Sequence, residues 1–183
     1  MNEKDKGGYR PLSNIIYNNS IEVVEVLLAY ADKNRVILEL NEKHKDGSYP
    51  LLEVINNNNM EILKMILEYV NKYNNILELN KKDEDEYYPF LNATLSNNIE
   101  MAELLLKYAD KNHMYLELNE KNKNGYYPLL SAISNNHAEM VKLLLAYADK
   151  NRVILEINEK YKDGNYPLWD LWKMKKKFFS IKN

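Results

Sequence analysis

Cysteine is absent from this 183-residue chain. Its absence excludes disulfide bonds, thiolate metal sites and thiol nucleophiles. No stretch approaches the roughly 18 apolar residues of a membrane span, and residues 1–8 lack the apolar core of a secretory signal. We therefore expect a cytoplasmic or nuclear protein that makes no membrane contact.

A strong charge of one sign is also lacking. The formal net charge is −2, with 27 acidic and 25 basic residues, so no general attraction to nucleic acid is expected. Hydrophobic residues make up 45% of the chain and charged residues 28%, which is enough to form a core and to cover it. We expect one domain over residues 1–183.

Proline is scarce but regularly spaced. The chain has five prolines, each 39 residues after the one before it and each followed by an apolar residue. This regularity predicts one structural unit copied about four and a half times. The predicted repeats are 1–46, 47–85, 86–124, 125–163 and a truncated capping half-repeat, 164–183.

The second copy shows how one unit is built. Asp46 and Gly47 indicate a turn, and Pro50 suits the first position of a helix, where a missing N–H has no cost. The apolar residues of 51–55 form one stripe of a short helix. An Asn-x-x-Glu pattern in each complete copy then predicts the start of a longer helix, capped by Asn19, Asn58, Asn97 or Asn136.

The spacing of apolar residues changes at the end of the unit. Asn34 is predicted to stop the longer helix in a left-handed conformation. Val36, Leu38 and Leu40 then alternate with more polar positions, which predicts an extended segment that continues into a projecting finger. Because one such unit cannot bury both helices, the sequence predicts an all-α solenoid of stacked helix pairs.

These features resemble the ankyrin repeat. Residues 125–132, Gly-Tyr-Tyr-Pro-Leu-Leu-Ser-Ala, follow the family pattern Gly-x-Thr-Pro-Leu-His-x-Ala, and residues 136–145 resemble its later stretch with a terminal leucine run. Helical repeats of 34 or about 40–47 residues are the rival assignment, but they lack the Asp-Gly finger before the proline. The resemblance implies two antiparallel helices and one finger per repeat, and a concave protein-binding face made by fingers and inner helices.

The sequence departs from the family pattern in three ways, and each departure leads to an expectation about the structure. Tyrosine precedes each later proline (Tyr49, Tyr88, Tyr127 and Tyr166) where the family has threonine, so packing is expected to replace its polar tie. The family period is 33, and the surplus residues should lengthen the outer helix or its exit between Tyr30 and Leu38. Glu86 stands where the other copies have glycine, so the third turn is expected to differ in backbone geometry.

Catalytic and metal chemistry find little support in the sequence. His44, His113 and His137 share no repeat position, so we expect no catalytic residue, no metal site and no cofactor. The acidic run 83–86 lacks the glycine and distal glutamate of an EF-hand loop. It indicates a solvated turn or a contact for a basic partner. The lysine-rich, aromatic C-terminus indicates a cap, with membrane contact as the alternative.

The resemblance places the binding surface two positions before each proline and six after it. We therefore predict a non-enzymatic scaffold, monomeric, that binds a protein partner with a basic surface. The alternative is a regulatory or targeting segment of a larger multidomain protein such as an enzyme. The candidate surface residues are Tyr9, Tyr17, Asp83, Asp85, Tyr87, Leu95 and Tyr126.

Overall fold

The structure is a computed structural model that describes residues 3–156. The truncated half-repeat 164–183, Tyr166 and the lysine-rich segment lie outside the described residues. Eight α-helices and no strand occur within 3–156, and none of these helices is long and apolar enough to cross a membrane. The helices are α1 (Pro11–Tyr17), α2 (Ile21–Lys33), α3 (Pro50–Asn56), α4 (Met60–Tyr73), α5 (Pro89–Leu95), α6 (Ile99–Lys111), α7 (Pro128–Ser134) and α8 (Ala138–Asn151).

Short inner helices alternate with longer outer helices. Each inner helix has 7 residues and begins at proline, whose fixed φ and missing N–H suit that position. Each outer helix has 13 or 14 residues. The prediction of an all-α chain of short and long helix pairs is confirmed.

The chain divides into two compact units, Met1–Asn92 and Ala93–Asn183. In the first unit α1 packs on α2 and α3, α3 packs on α4, and α2 packs on α4. In the second unit α7 and α6 both pack on α8. Each unit therefore stacks helix pairs, and the buried leucine, isoleucine and valine side chains of these helices form its core.

The tyrosines before the prolines are core residues. Tyr49, Tyr88 and Tyr127 are at most 1% exposed. The Tyr49 hydroxyl donates to the Lys81 carbonyl, and the Tyr127 hydroxyl donates to the Glu156 carbonyl at 2.5 Å. The expected aromatic packing is present, and a polar tie to a carbonyl about 30 residues further along accompanies it.

The predicted caps of the outer helices are wrong by one residue. The N-caps are Ser20, Asn59, Asn98 and His137, and the Asn59 and Asn98 side chains accept from the Ile62 and Met101 N–H at 3.0 and 2.9 Å. The asparagines predicted as caps instead have φ between 53° and 59°. The chain needs a left-handed residue to leave the inner helix, and asparagine adopts that conformation more readily than other residues with a Cβ.

The predicted left-handed stop at Asn34 is also displaced. Asn34 has φ of −99°, while Arg35 has φ of 52°. The equivalent residues Asn74, His113 and Arg152 are left-handed as well. The reversal after the outer helix thus occurs at the same repeat position in all four copies, whichever residue occupies it.

The extended segment after the outer helix has the predicted alternation. Leu38 and Leu40 are 1% exposed, while Glu39 between them is exposed and Ile37 before them is 53% exposed. No strand forms in this segment, and an asparagine side chain links it to the next repeat. The Asn41 amide donates to the Ile76 carbonyl at 2.7 Å and accepts from the Glu78 N–H at 3.0 Å.

Candidate functional site

Each finger ends in a tight turn of five residues, here called a finger turn: 5–9, 44–48, 83–87 and 122–126. In the first, the Asp5 carboxylate accepts from the N–H groups of Gly7 and Tyr9 at 2.8 and 2.9 Å. The Asp5 N–H in turn donates to the Tyr9 carbonyl at 2.9 Å. Both ends of the turn are thus hydrogen-bonded, which fixes the backbone of its last residue.

The third and fourth finger turns repeat this arrangement. The Asp83 side chain accepts from the Asp85 and Tyr87 N–H at 2.9 and 2.8 Å. Asn122 does the same for the N–H of Asn124 and Tyr126, at 3.0 and 2.9 Å. Asp83 and Asn122 therefore shape their turns, and the residue two before each proline is held on a rigid backbone.

The expectation that Glu86 changes its turn is wrong. Glu86 has φ of 64°, beside 79° at Gly47 and 85° at Gly125. Its N–H donates to the Asp83 carbonyl at 3.3 Å, as the Gly47 N–H does to His44 at 3.1 Å. The hydrogen bonds of the turn hold Glu86 in the left-handed region in spite of its Cβ.

A buried histidine of the second finger turn lies beside a buried carboxyl group of α3. His44 and Glu53 are 6% and 7% exposed, and His44 Nε2 lies 3.7 Å from Glu53 Oε1. His44 Nδ1 lies 3.2 Å from the Gly8 carbonyl oxygen, and the Ser48 hydroxyl donates to Glu53 at 3.2 Å. Burial raises the pKa of the Glu53 carboxyl to about 7.

Sequence reasoning assigned no role to Glu53. Its signal was a carboxyl side chain within the apolar stripe of α3, at a position where the other copies have neutral Asn14, Asn92 and Ser131. Tyr9 was a candidate binding residue, and its ring stacks on His44 with centroids 4.3 Å apart while its hydroxyl donates to Asp46. The Tyr9 ring is therefore partly engaged inside the first unit.

Residues 72–154 match the family model of ankyrin repeats, in three copies. Residues 72–154 contain ankyrin repeats. Ankyrin repeats are protein–protein interaction modules, and the fold is typically non-enzymatic. The prediction of family and fold class, an α-α solenoid, is confirmed.

A solved structure has a similar fold. The crystal structure of an ankyrin repeat domain from Acinetobacter baumannii AYE matches with a TM-score of 0.70 and 20% sequence identity. The match covers 95% of this chain and 79% of that one. No curated protein matches the sequence. The structural likeness therefore concerns the fold.

The candidate binding residues of the ankyrin repeats lie in both units. The first unit contains Tyr9, Tyr17, Asp83, Asp85 and Tyr87, and the second contains Leu95 and Tyr126. Tyr17 is 72% exposed at the end of α1, and Tyr126 is 38% exposed at the end of its finger turn. Asp85 is exposed, while Asp83, Tyr87, Leu95 and Tyr9 are half-buried.

The other two histidines have positions at helix ends. His137 precedes α8 as its N-cap residue, and His113 is the left-handed residue after α6. Within residues 3–156, no group of three or more histidine, aspartate or glutamate side chains is arranged to hold a metal ion.

Proposed function

We propose that this chain is a non-enzymatic binding scaffold whose ankyrin repeats bind a partner protein through the finger turns and the adjacent ends of the inner helices. The supporting observation is the repeated hydrogen bonding of the finger turns. One side chain holds two backbone N–H groups in the turns that end at Tyr9, Tyr87 and Tyr126. These three turns each present a tyrosine on the same framework, while the second turn has His44 at its first position and presents Ser48.

A rigid turn favours binding by an aromatic side chain. The Tyr126 backbone is fixed at both its N–H and its carbonyl oxygen. Binding therefore restricts only the side chain, which has two rotatable bonds, and little conformational entropy is lost. Tyrosine is among the residues that contribute most to interfaces. Tyr126 is the principal binding residue that we propose in the second unit, with Leu95 as a further one.

In the first unit we propose Tyr17 and Tyr87 as apolar contacts and the acidic third finger turn as the charged one. Glu84 and Asp85 are exposed there, so the turn favours a partner with a basic surface. Tyr9 is a weaker candidate, because its ring stacks on His44. We propose that the scaffold binds as a monomer.

The test compares variants in capture and affinity experiments. The immobilised chain first captures partners from cell extract, and each purified partner is then titrated against Tyr126→Ala by calorimetry. Loss of a central aromatic should weaken binding by ~2 kcal/mol, about 30-fold, with little change in thermal stability. The matched control is Tyr30→Ala, an exposed tyrosine on outer helix α2.

Equal affinity of Tyr126→Ala and the wild type would refute the proposed site in the second unit. A loss of affinity in Tyr30→Ala alone would move the binding surface to the outer helices. Substrate turnover by the purified chain would contradict the non-enzymatic part of the proposal.

A further inference from the structure

A crevice of about 290 Å³ opens at the ends of the outer helices in the second unit. It lies where α6 and α8 finish, and is here called the unit-2 crevice. Its polar side chains include Asp110, His113 and Asn151, and Tyr147 and Leu116 contribute buried apolar surface. This volume is at the small end of ligand sites and is large enough for one aromatic ring.

The first unit contains the same arrangement two repeats earlier. There α2 and α4 take the places of α6 and α8, and Asp32 and Tyr69 take those of Asp110 and Tyr147. A lysine pairs with the aspartate in both units, Lys72 with Asp32 and Lys150 with Asp110. The two sites therefore share an aspartate, a lysine and a tyrosine at equivalent positions, while Arg35 of the first unit is replaced by His113 in the second.

Five of the nine lining residues of the unit-2 crevice differ from their counterparts in the first unit, and the largest loss of side-chain volume is at the end of the longer helix. The last residue of α4 is Tyr73, and the last residue of α8 is Asn151. The backbone is matched, since the next residue is left-handed in both units, with φ of 50° at Asn74 and 56° at Arg152. The two side chains thus start from equivalent positions, and the shorter one leaves the space unfilled.

Tyr73 shows which chemistry this framework accepts. Its hydroxyl donates to the Asp32 carboxylate at 2.7 Å and lies 3.2 Å from the Asp32 carbonyl oxygen. Its ring packs against Tyr69 with centroids 4.9 Å apart. A phenol group therefore satisfies both the apolar wall and the acidic end of the framework.

We infer that the unit-2 crevice binds the side chain of a tyrosine from a partner protein, in the way that Tyr73 occupies the first unit. The ring would lie against Tyr147, and the hydroxyl would donate to Asp110. The site adds a contact to the protein-binding function proposed above and rests on it for the partner being a protein. It shares no residue with the finger turns, so each can fail without the other.

The test uses 4-methylphenol as a side-chain probe and the full chain labelled with ¹⁵N. Titration should give saturable shifts at the amides of Asp110, Tyr147 and Asn151. Toluene lacks the hydroxyl and should bind at least about tenfold more weakly, because the aspartate then gains no donor. N-acetyltyrosinamide should give the same shifts as 4-methylphenol. Binding of 4-methylphenol alone would show a site for free phenols and overturn the partner assignment.

Two variants decide whether the probe binds in the unit-2 crevice. Asn151→Tyr should fill it and abolish probe binding. The matched control is Asn34→Tyr in the first repeat. Both asparagines donate an amide hydrogen bond to the carbonyl of the tyrosine four residues earlier, at 2.7 Å for Asn34 and 3.0 Å for Asn151, so both variants lose the same bond. Asn34→Tyr should leave probe binding unchanged. Probe binding that survives Asn151→Tyr, or the absence of saturable shifts in the wild type, would overturn the inference.

The converse variant, Tyr73→Asn, should open the first unit to the probe and add a second set of shifts around Asp32 and Tyr69. A folded Tyr73→Asn chain without this second set would overturn the equivalence on which the inference rests. If Tyr73→Asn does not fold, the Asn151→Tyr and Asn34→Tyr pair decides the question.

Discussion

At the scale of single residues, Glu86 carries the clearest conformational strain. It has φ of 64° at a position where three other copies have glycine with φ of 79° to 86°. A left-handed residue with a Cβ is strained by ~1–2 kcal/mol, and glycine loses ~0.5–1 kcal/mol more entropy on folding. Glu86→Gly should therefore stabilise the chain by ~0.5–1 kcal/mol, measured by urea unfolding.

Asp85→Gly is the control for this prediction. Asp85 lies in the same turn but has no positive φ, so glycine there should lower the stability of the folded chain. The reverse change, Gly47→Ala, should destabilise by more than strain alone. A Cβ there would lie 2.3 Å from Glu84 Cγ and 2.9 Å from the Glu84 N. If the Glu86→Gly chain were no more stable than the wild type, the backbone at Glu86 would not be strained.

Because the Glu53 carboxyl is buried, we expect the free energy of unfolding to depend on pH. Burial raises its pKa in the folded chain to about 7, above the ordinary value of 4.5. The stability contributed by the protonated form is complete below pH 4.5 and is lost as the pH rises through 7. The free energy of unfolding should thus fall by up to roughly 3 kcal/mol between pH 4.5 and 8 on this account.

Glu53→Gln should remove most of that dependence. Glutamine stays neutral and can still accept from Ser48, so the variant should match the wild type near pH 5 and exceed its stability at pH 8. Urea unfolding at both pH values measures this. If Glu53→Gln were less stable than the wild type at pH 8, the ionised carboxylate would instead be stabilised by His44, whose Nε2 lies 3.7 Å away.

At the scale of elements, the starts of the outer helices test the corrected caps. Asn59 accepts a hydrogen bond from the Ile62 N–H, while Asn58 is left-handed with φ of 54°. Asn59→Ala should cost ~1 kcal/mol of stability, and Asn59→Asp should be tolerated because aspartate is also a good cap. Asn58→Gly should likewise be tolerated, because glycine favours the left-handed region.

Thermal unfolding of these three variants, with Asn59→Gly as a further control, measures the cap contribution. A neutral Asn59→Ala would contradict the cap at Asn59 and restore the cap at Asn58 that the Asn-x-x-Glu pattern predicted. The pattern located the helix start to within one residue. It could not choose between two adjacent asparagines, because both the left-handed residue and the cap favour that side chain.

At the scale of the whole molecule, the acidic third finger turn tests the proposed charge complementarity with the partner. Asp83 accepts two backbone N–H groups, and neutral Asn122 does the same in the next turn. Asp83→Asn therefore changes charge while the hydrogen bonds of the turn are kept. We expect unchanged stability but a slower association rate with a basic partner, several-fold at low salt and less at high salt.

Stopped-flow or surface-based association rates at two salt concentrations provide the measurement. Asn122→Asp is the matched control, since it adds a charge in an equivalent turn and should raise the rate if the partner is basic. Equal rates for the wild type, Asp83→Asn and Asn122→Asp would contradict a basic partner surface. The Tyr126 prediction would remain independently testable.

The sequence by itself determined the repeat, its helix pairs and its family. The 39-residue spacing of proline, the apolar stripe after it and the alternation from Val36 to Leu40 are local patterns, and local patterns report secondary structure. The buried tyrosines were also predictable as packing residues, because a large aromatic recurs before the proline. Their hydroxyl bonds were not, since the acceptor carbonyls lie about 30 residues away.

Only the tertiary structure decided which polar residues belong to the framework. Asparagine is frequent throughout the sequence, and its role became visible when Asn41, Asn57 and Asn75 were found to donate to carbonyls of another repeat. The same holds for Asp83, a predicted binding residue that also shapes its turn, and for the space beside Asn151. Such roles depend on which side chains meet across stacked repeats, and the identity of one residue does not reveal what lies opposite it.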